Sequence, residues 1–184
     1  MQYDPLNISD VVLLKPTRFG DTRGYFMETF RSEWFQLNIG NFVFVQENRS
    51  FSAEAGTIRG LHFQLEPHAQ GKLVTCAAGA LLDVAVDIRR SSPTYGHYVC
   101  AELTADNAHQ LWIPPGFAHG FCTLEPDTVI SYKVTAYYAP DCDRGLLWND
   151  PALNINWPVA GGDVVLSERD KKQPLLAELE TNFL

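Results

Sequence analysis

The stretch LLDVAVDI, residues 81–88, carries the clearest alternation in the chain: Leu82, Val84, Val86 and Ile88 fall on one face, Asp83, Ala85 and Asp87 on the other. A period of two marks a strand with one face in a core and one toward water, so a half-buried strand is expected here. Working outward, strands are also expected at 11–15, 42–48, 97–103, 110–113, 116–124, 128–135 and 145–148, with another around Arg59 and His62. The segments SSPTYG, TADN, EPD and YAPDCD punctuate them as turns. Many short strands at even spacing and little helix define an all-β sandwich or barrel, and the jelly roll is the member that readily encloses a small-molecule site. One short helix is expected after Ser32 as its N-cap, with Trp34, Phe35 and Leu37 on its apolar side and Gly40 ending it.

At 184 residues and 46% hydrophobic content the chain can bury one good core, so residues 1–184 are expected to form a single domain. Fourteen Lys and Arg against 22 Asp and Glu give a net charge of -8, which argues against nucleic acid and anionic membrane surfaces as partners. A local cluster of Arg23, Arg59 and Lys72 still allows an anionic small molecule. Cys76, Cys100, Cys122 and Cys142 show no CxxC spacing and read as free, buried thiols of a cytoplasmic protein. The N-terminus has no signal-like pattern and no apolar run reaches membrane-spanning length. Residues 166–184 are expected to lie over the body as a short helical or extended tail.

TIRGLHFQLEPHAQGKLVTC (57–76) and IPPGFAHGF (113–121) put Arg59, His62, His68, Lys72 and His119 into strand-like surroundings. Charged or titratable groups on buried strands lose hydration unless paired, so such a concentration points to the lining of a site. Plain alternation would place Arg59 and His62 on opposite faces, and a bulge at Gly60 would bring both into one cavity. On the strand 42–48, Gln46 and Asn48 share a face, which suits either a polar site wall or an ordinary strand end.

Pro114, Gly116 and His119 form a P-x-G-x-x-H arrangement that resembles the second motif of the cupin superfamily. Metal-binding cupins add a His-x-His pair on an earlier strand. Here that place holds Leu61, His62, Phe63 and Gln64, so no metal site is expected. The ordered motifs FGDTRGYFMETF, QENRS, RGLHFQ, AQGKLV, DVAVDIRRSSPTYG, LWIPPGFAHGF, YKVTAYYAP and LSERD are similar to those of the dTDP-4-keto-6-deoxyglucose (dTDP-4-dehydrorhamnose) 3,5-epimerase family. Arg49 stands where that family often has His, and Arg169 where it often has Lys; neither change removes charge available to a diphosphate.

The resemblance implies a cupin-like jelly-roll homodimer, a dTDP-sugar substrate and no cofactor. It also implies site residues. Inverting a carbon beside a ketone needs a base on one face and an acid on the other. His62 suits the base, since imidazole titrates near working pH. By resemblance Asp170 stands behind it, with Glu168 as the nearby alternative. Lys72 would stabilise the growing C4 oxyanion and Tyr132 would deliver the opposite-face proton. Gln46, Asn48, Arg59, His119, Tyr138, Asp143 and Arg169 would contact substrate. An N-terminal arm, about 1–30, would cross to the partner subunit and place Arg23, Phe26 and Glu28 in its nucleotide pocket. The resemblance leaves a 3-only epimerase of a related nucleotide ketosugar open as an alternative, and a metal-binding or non-catalytic cupin behind that. His68, His97 and His109 read as surface groups.

Overall fold

The computed structural model describes residues 1–159 and 164–184. In chain order its strands are β1 (Gln2–Pro5), β2 (Val12–Lys15), β3 (Arg18–Asp21), β4 (Gly24–Met27), β5 (Gln46–Ser52), β6 (Ile58–Gln64) and β7 (Lys72–Ala78). There follow β8 (Ala80–Asp87), β9 (Tyr98–Thr104), β10 (Gln110–Ile113), β11 (Phe117–Thr123), β12 (Thr128–Val134) and β13 (Asp143–Gly145). They form a six-stranded sheet in the order β1-β2-β10-β7-β12-β5, a five-stranded sheet in the order β13-β6-β11-β8-β9, and the separate β3-β4 hairpin. Every strand pair within these sheets is antiparallel, and the whole is a cupin-like jelly roll.

The expected strand at 81–88 exists, yet it is not half-buried. Leu81 and Ala85 point between the sheets, where they meet Val74, Leu111, Phe121 and Ile130. Val84, Val86 and Ile88 point outward into a second cluster with Leu153, Trp157, Leu179 and Phe183 from the C-terminal segment. Both faces are therefore dry, and Asp83 and Asp87 are wholly buried. Asp87 is satisfied by Arg89 and by Ser92 and Thr94 of the SSPT turn. The six-stranded sheet is covered in the same way on its outer side, where Val12, Leu14, Leu73 and Trp112 pack under Phe35, Phe42 and Phe44. Alternation reports a change of neighbours from face to face, and here both sets of neighbours are protein.

Other expectations shift at their edges. The strand at 42–48 starts later, at Gln46, because Phe42 and Phe44 are drawn down onto Trp112 instead. The segment PTRFGDTRG contains β3, and β1 precedes the first expected strand. The helix α1 spans Ser32–Asn38 with Arg31 at its N-cap and no side-chain cap, so Ser32 is its first residue and not its cap. Phe35 is buried, while Leu37 is 80% exposed. Among the thiols, Cys76 and Cys122 are buried but Cys100 is exposed and Cys142 half-buried. The tail forms two single 3₁₀ turns at Asp170–Lys172 and Leu176–Glu178, and seals the outer face of the five-stranded sheet with Leu179 and Phe183.

Candidate active site

Between the sheets, at the end where β5, β6, β11 and β12 converge, lies a cavity of about 560 Å³. That volume is ordinary for a small-molecule site. One wall is β6 and β11 of the five-stranded sheet, carrying Arg59, His62 and His119; the facing wall is β5, β7 and β12, carrying Gln46, Asn48, Lys72 and Tyr132. Tyr138, Asp143, Arg169 and Asp170 also line it.

The local backbone explains why Arg59 and His62 share the cavity. In the β6–β11 ladder His62 pairs with His119 and Arg59 with Phe121, so Gly60 and Leu61 together stand opposite Gly120 alone. This is the bulge expected at Gly60. The bulge requires glycines on both sides: a Cβ on Gly60 would sit 2.5 Å from the Cα of Gly120, and one on Gly120 would sit 2.9 Å from the Arg59 carbonyl oxygen. Gly60 also has a φ of +129°, a conformation side chains rarely take.

His62 Nε2 lies 2.6 Å from Asp170 Oδ1, although 108 residues separate them. Burial works to raise the Asp170 carboxyl, but its hydrogen bond to His62, the His62 charge and Ser167 outweigh that and hold it below the usual carboxylate value. An ionised Asp170 accepts the Nε2 hydrogen and leaves Nδ1 with the free lone pair. Glu168 is the exposed neighbour that binds Lys171 instead. Of the two carboxylates, Asp170 is the one that meets His62.

Lys72 reaches across from β7 and donates from Nζ to the His62 carbonyl oxygen at 3.0 Å. Its burial pushes the ammonium down to about 8, against the charges of Asp143 and Asp83. Burial likewise raises the Tyr132 phenol above its ordinary value, so it keeps its proton at neutral pH. Tyr132 stands directly opposite Asn48 in the β5–β12 ladder.

Sequence reasoning passed over a second histidine–carboxylate pair. His119 Nε2 lies 2.7 Å from Asp83 Oδ1, and burial lowers the imidazole pKa although Asp83 pulls it up. The other oxygen, Asp83 Oδ2, is buried and has no hydrogen-bond partner among the described residues. The signal was present as a polar residue at alternate spacing in LLDVAVDI, and was masked by reading that face as solvent. Ser50 and Gln64 also line the cavity and lie one period beyond Asn48 and His62 on the same strand faces.

Arg23, Phe26 and Glu28 do not join this chain's cavity. They sit on and just beyond the β3-β4 hairpin, where Arg23 pairs with Asp21, Glu28 pairs with Arg31 and Phe26 is 72% exposed. His68 and His97 are exposed and His109 is half-buried, all outside the cavity lining. Among the described residues, no group of three or more His, Cys, Asp or Glu side chains is placed to hold a metal ion.

Fold and cavity together define a cupin-like protein that gathers titratable side chains around a cavity of small-molecule size. The chain belongs to the dTDP-4-dehydrorhamnose 3,5-epimerase family, a family of isomerases whose model matches residues 5–178. It is 59% identical over 183 residues to the dTDP-4-dehydrorhamnose 3,5-epimerase of Sinorhizobium fredii, covering 100% of this chain and 93% of the relative. Among solved structures it resembles dTDP-6-deoxy-D-glucose-3,5-epimerase from Legionella pneumophila in complex with dTDP-4-keto-L-rhamnose, at 40% identity and a TM-score of 0.92, over 97% of this chain and 95% of that one. It also resembles a 3'-monoepimerase from Streptomyces bikiniensis in complex with dTDP-quinovose, at 34% identity and a TM-score of 0.87, over 94% and 87% of the two chains.

Proposed function

We propose that the chain inverts C3 and C5 of dTDP-4-keto-6-deoxy-D-glucose to give dTDP-4-keto-L-rhamnose, using its own side chains and no cofactor. The observation that carries this reading is the facing of His62, backed by Asp170, and Tyr132 from opposite sheets across one cavity. His62 Nδ1 takes the proton from the carbon next to the ketone. The C–H electron pair becomes the C=C bond, and the carbonyl electrons move to the C4 oxygen. The Lys72 ammonium stabilises that oxyanion, which exists only after proton removal, so its charge lowers the barrier more than it tightens ground-state binding. Tyr132 then donates its proton to the opposite face of the carbon as the carbonyl reforms. Each inversion leaves a protonated His62 and a deprotonated Tyr132, which exchange with solvent before the second carbon is turned. No electrons are gained or lost, so the reaction calls for no redox partner.

Arg59, Arg169, His119, Tyr138, Asp143, Gln46 and Asn48 are assigned to substrate contact. The exposed arm supports a homodimer in which Arg23, Phe26 and Glu28 complete the neighbour's nucleotide pocket, since Arg23 and Phe26 have almost no cover in their own chain. No helix among the described residues is long and apolar enough to cross a membrane, and a diphosphate does not cross a bilayer unaided. On this reading the enzyme works in the cytoplasm as one 1–184 domain.

The likeness to a 3'-monoepimerase favours inversion at C3 alone as the second reading. Incubating the ketosugar nucleotide in deuterated water, with and without exhaustive chelation, tests both. Label at C3 and C5, unchanged by chelation, is the expected result. Label at C3 alone moves the assignment to the second reading, and a strict metal requirement overturns the cofactor-free mechanism.

A further inference from the structure

The loop 135–139, between β12 and the 3₁₀ turn Pro140–Cys142, carries Tyr138 to the cavity, yet no residue of this loop is buried. Tyr137 and Tyr138 are largely exposed, so apolar burial does not fix their position. Hydrogen bonds do. Gln70 Nε2 donates to the Ala136 carbonyl at 2.9 Å, and the Tyr138 backbone N–H donates to Gln46 Oε1 at 3.1 Å. Gln64 does more than either. Its Nε2 donates to the carbonyls of Tyr137 at 3.2 Å and His68 at 2.7 Å, while its Oε1 accepts from the Ala139 N–H at 2.9 Å.

Gln64 is itself only 3% exposed, and it lies on β6 two residues beyond His62. One rigid strand thus places the candidate base and, through an amide with three backbone partners, brackets Tyr138 by gripping the residues on either side of it. Buried amides are kept where their valences are filled, and loss of the bonds to Tyr137 and Ala139 would strand two backbone groups of the loop, while loss of the third would strand the His68 carbonyl. Tyr138 in turn donates from its hydroxyl to Asp143 Oδ2 at 3.2 Å, and Asp143 holds Arg169 at 2.7 Å.

We propose that Gln64 is a positioning residue for the epimerase site, setting the place of Tyr138 against the bound sugar nucleotide by clamping the loop 135–139 to the strand that bears His62. Gln64 touches no reacting atom on this view. Its effect passes through Tyr138, and that dependence makes it measurable. The proposal rests on the epimerase reading given above.

The test is a double-mutant cycle on the full chain, with KM and kcat measured separately and thermal melting followed for every variant. Gln64→Met keeps the length of the side chain and removes all three bonds; Tyr138→Ala removes the group it is argued to place. Each single variant is expected to raise KM about tenfold with a smaller change in kcat, as loss of one or two net hydrogen bonds would give. The double variant is expected to be no worse than the poorer single one, since the two act through one contact. Losses that multiply in the double variant overturn the proposal, as does a Gln64→Met enzyme that melts earlier but keeps wild-type KM. If Gln64→Met does not fold, Gln64→Glu retains the acceptor for Ala139 and carries the same cycle. Failure of the wild-type chain to wash in deuterium would overturn the epimerase reading itself, a result separate from either outcome of the cycle.

Discussion

Two histidine–aspartate pairs face the same cavity with nearly the same geometry, His62 with Asp170 at 2.6 Å and His119 with Asp83 at 2.7 Å. Their surroundings differ. The His62 side chain is 31% exposed and its aspartate comes from the C-terminal turn; the His119 side chain is 8% exposed and its aspartate lies on the same sheet, wholly buried. Burial disfavours a charged imidazole, so His119 is held neutral while His62 keeps open access to cavity and solvent. On the proposed mechanism the same pair of residue types is given two jobs: a proton carrier where the ring can exchange, and a fixed dipole where it cannot.

Removing each ring is the largest test of that contrast. His62→Ala is expected to lower turnover by about 10³ to 10⁴ and to abolish deuterium exchange at both carbons, in the upper range of general-base contributions. His119→Ala should keep exchange, at a reduced rate. Retained exchange in the first variant, or complete loss in the second, would reverse the two roles. Tyr132→Phe comes next. It should still exchange some label through His62, while the yield of inverted sugar falls by about 10² to 10³, because only the opposite-face donor is gone. Normal epimer yield would remove Tyr132 from the acid role.

The contrast so far concerns one chain, and Arg23→Ala asks whether a second chain completes the site. A guanidinium on a diphosphate makes charge-assisted hydrogen bonds, so its loss should reduce kcat/KM by about tenfold to a hundredfold. Mixing Arg23→Ala with His62→Ala subunits then decides where Arg23 acts. If sites are shared across a two-fold axis, each mixed dimer holds one intact and one doubly defective site, and random mixing restores about a quarter of wild-type activity. A mixture that stays at the level of its parents, with subunit exchange verified, places Arg23 in its own chain's function.

The legibility of these regions follows from how local their causes are. The bulge at Gly60 was readable because a glycine between Arg59 and His62 is a local signal, and the mate it needs, Gly120, lies on the paired strand. Gln46 and Asn48 were readable because period two fixes their common face. The choice between Asp170 and Glu168 was not, since it depends on how a tail 108 residues from His62 lies against β6. Asp83 was hidden for a related reason. Alternation separates two faces but does not say what covers each, and the cover of β8 comes from the other sheet on one side and the C-terminal segment on the other. Leu37 erred in the opposite sense: helical spacing marked it apolar, but α1 is too short to bury more than Phe35.

The smallest expected effect bears most directly on the buried pair. Lys72 has a pKa of about 8, lowered by burial and supported by the charges of Asp143 and Asp83. If its ammonium stabilises the enolate, kcat/KM should hold through neutral pH and fall as pH rises through about 8, where the proton is lost. Asp83→Asn removes one of the two supporting negative charges. The lysine then gives up its proton more readily, and the alkaline limb must move to lower pH, with activity at neutral pH reduced only a few-fold, roughly the scale of one screened charge interaction. A purely structural part for Asp83 predicts something else: disturbing His119 would lower the plateau and leave the limb where it was. A pH profile of kcat/KM for the two proteins separates these outcomes, and an unmoved limb would show that the buried pair orients His119 without supporting the charge on Lys72.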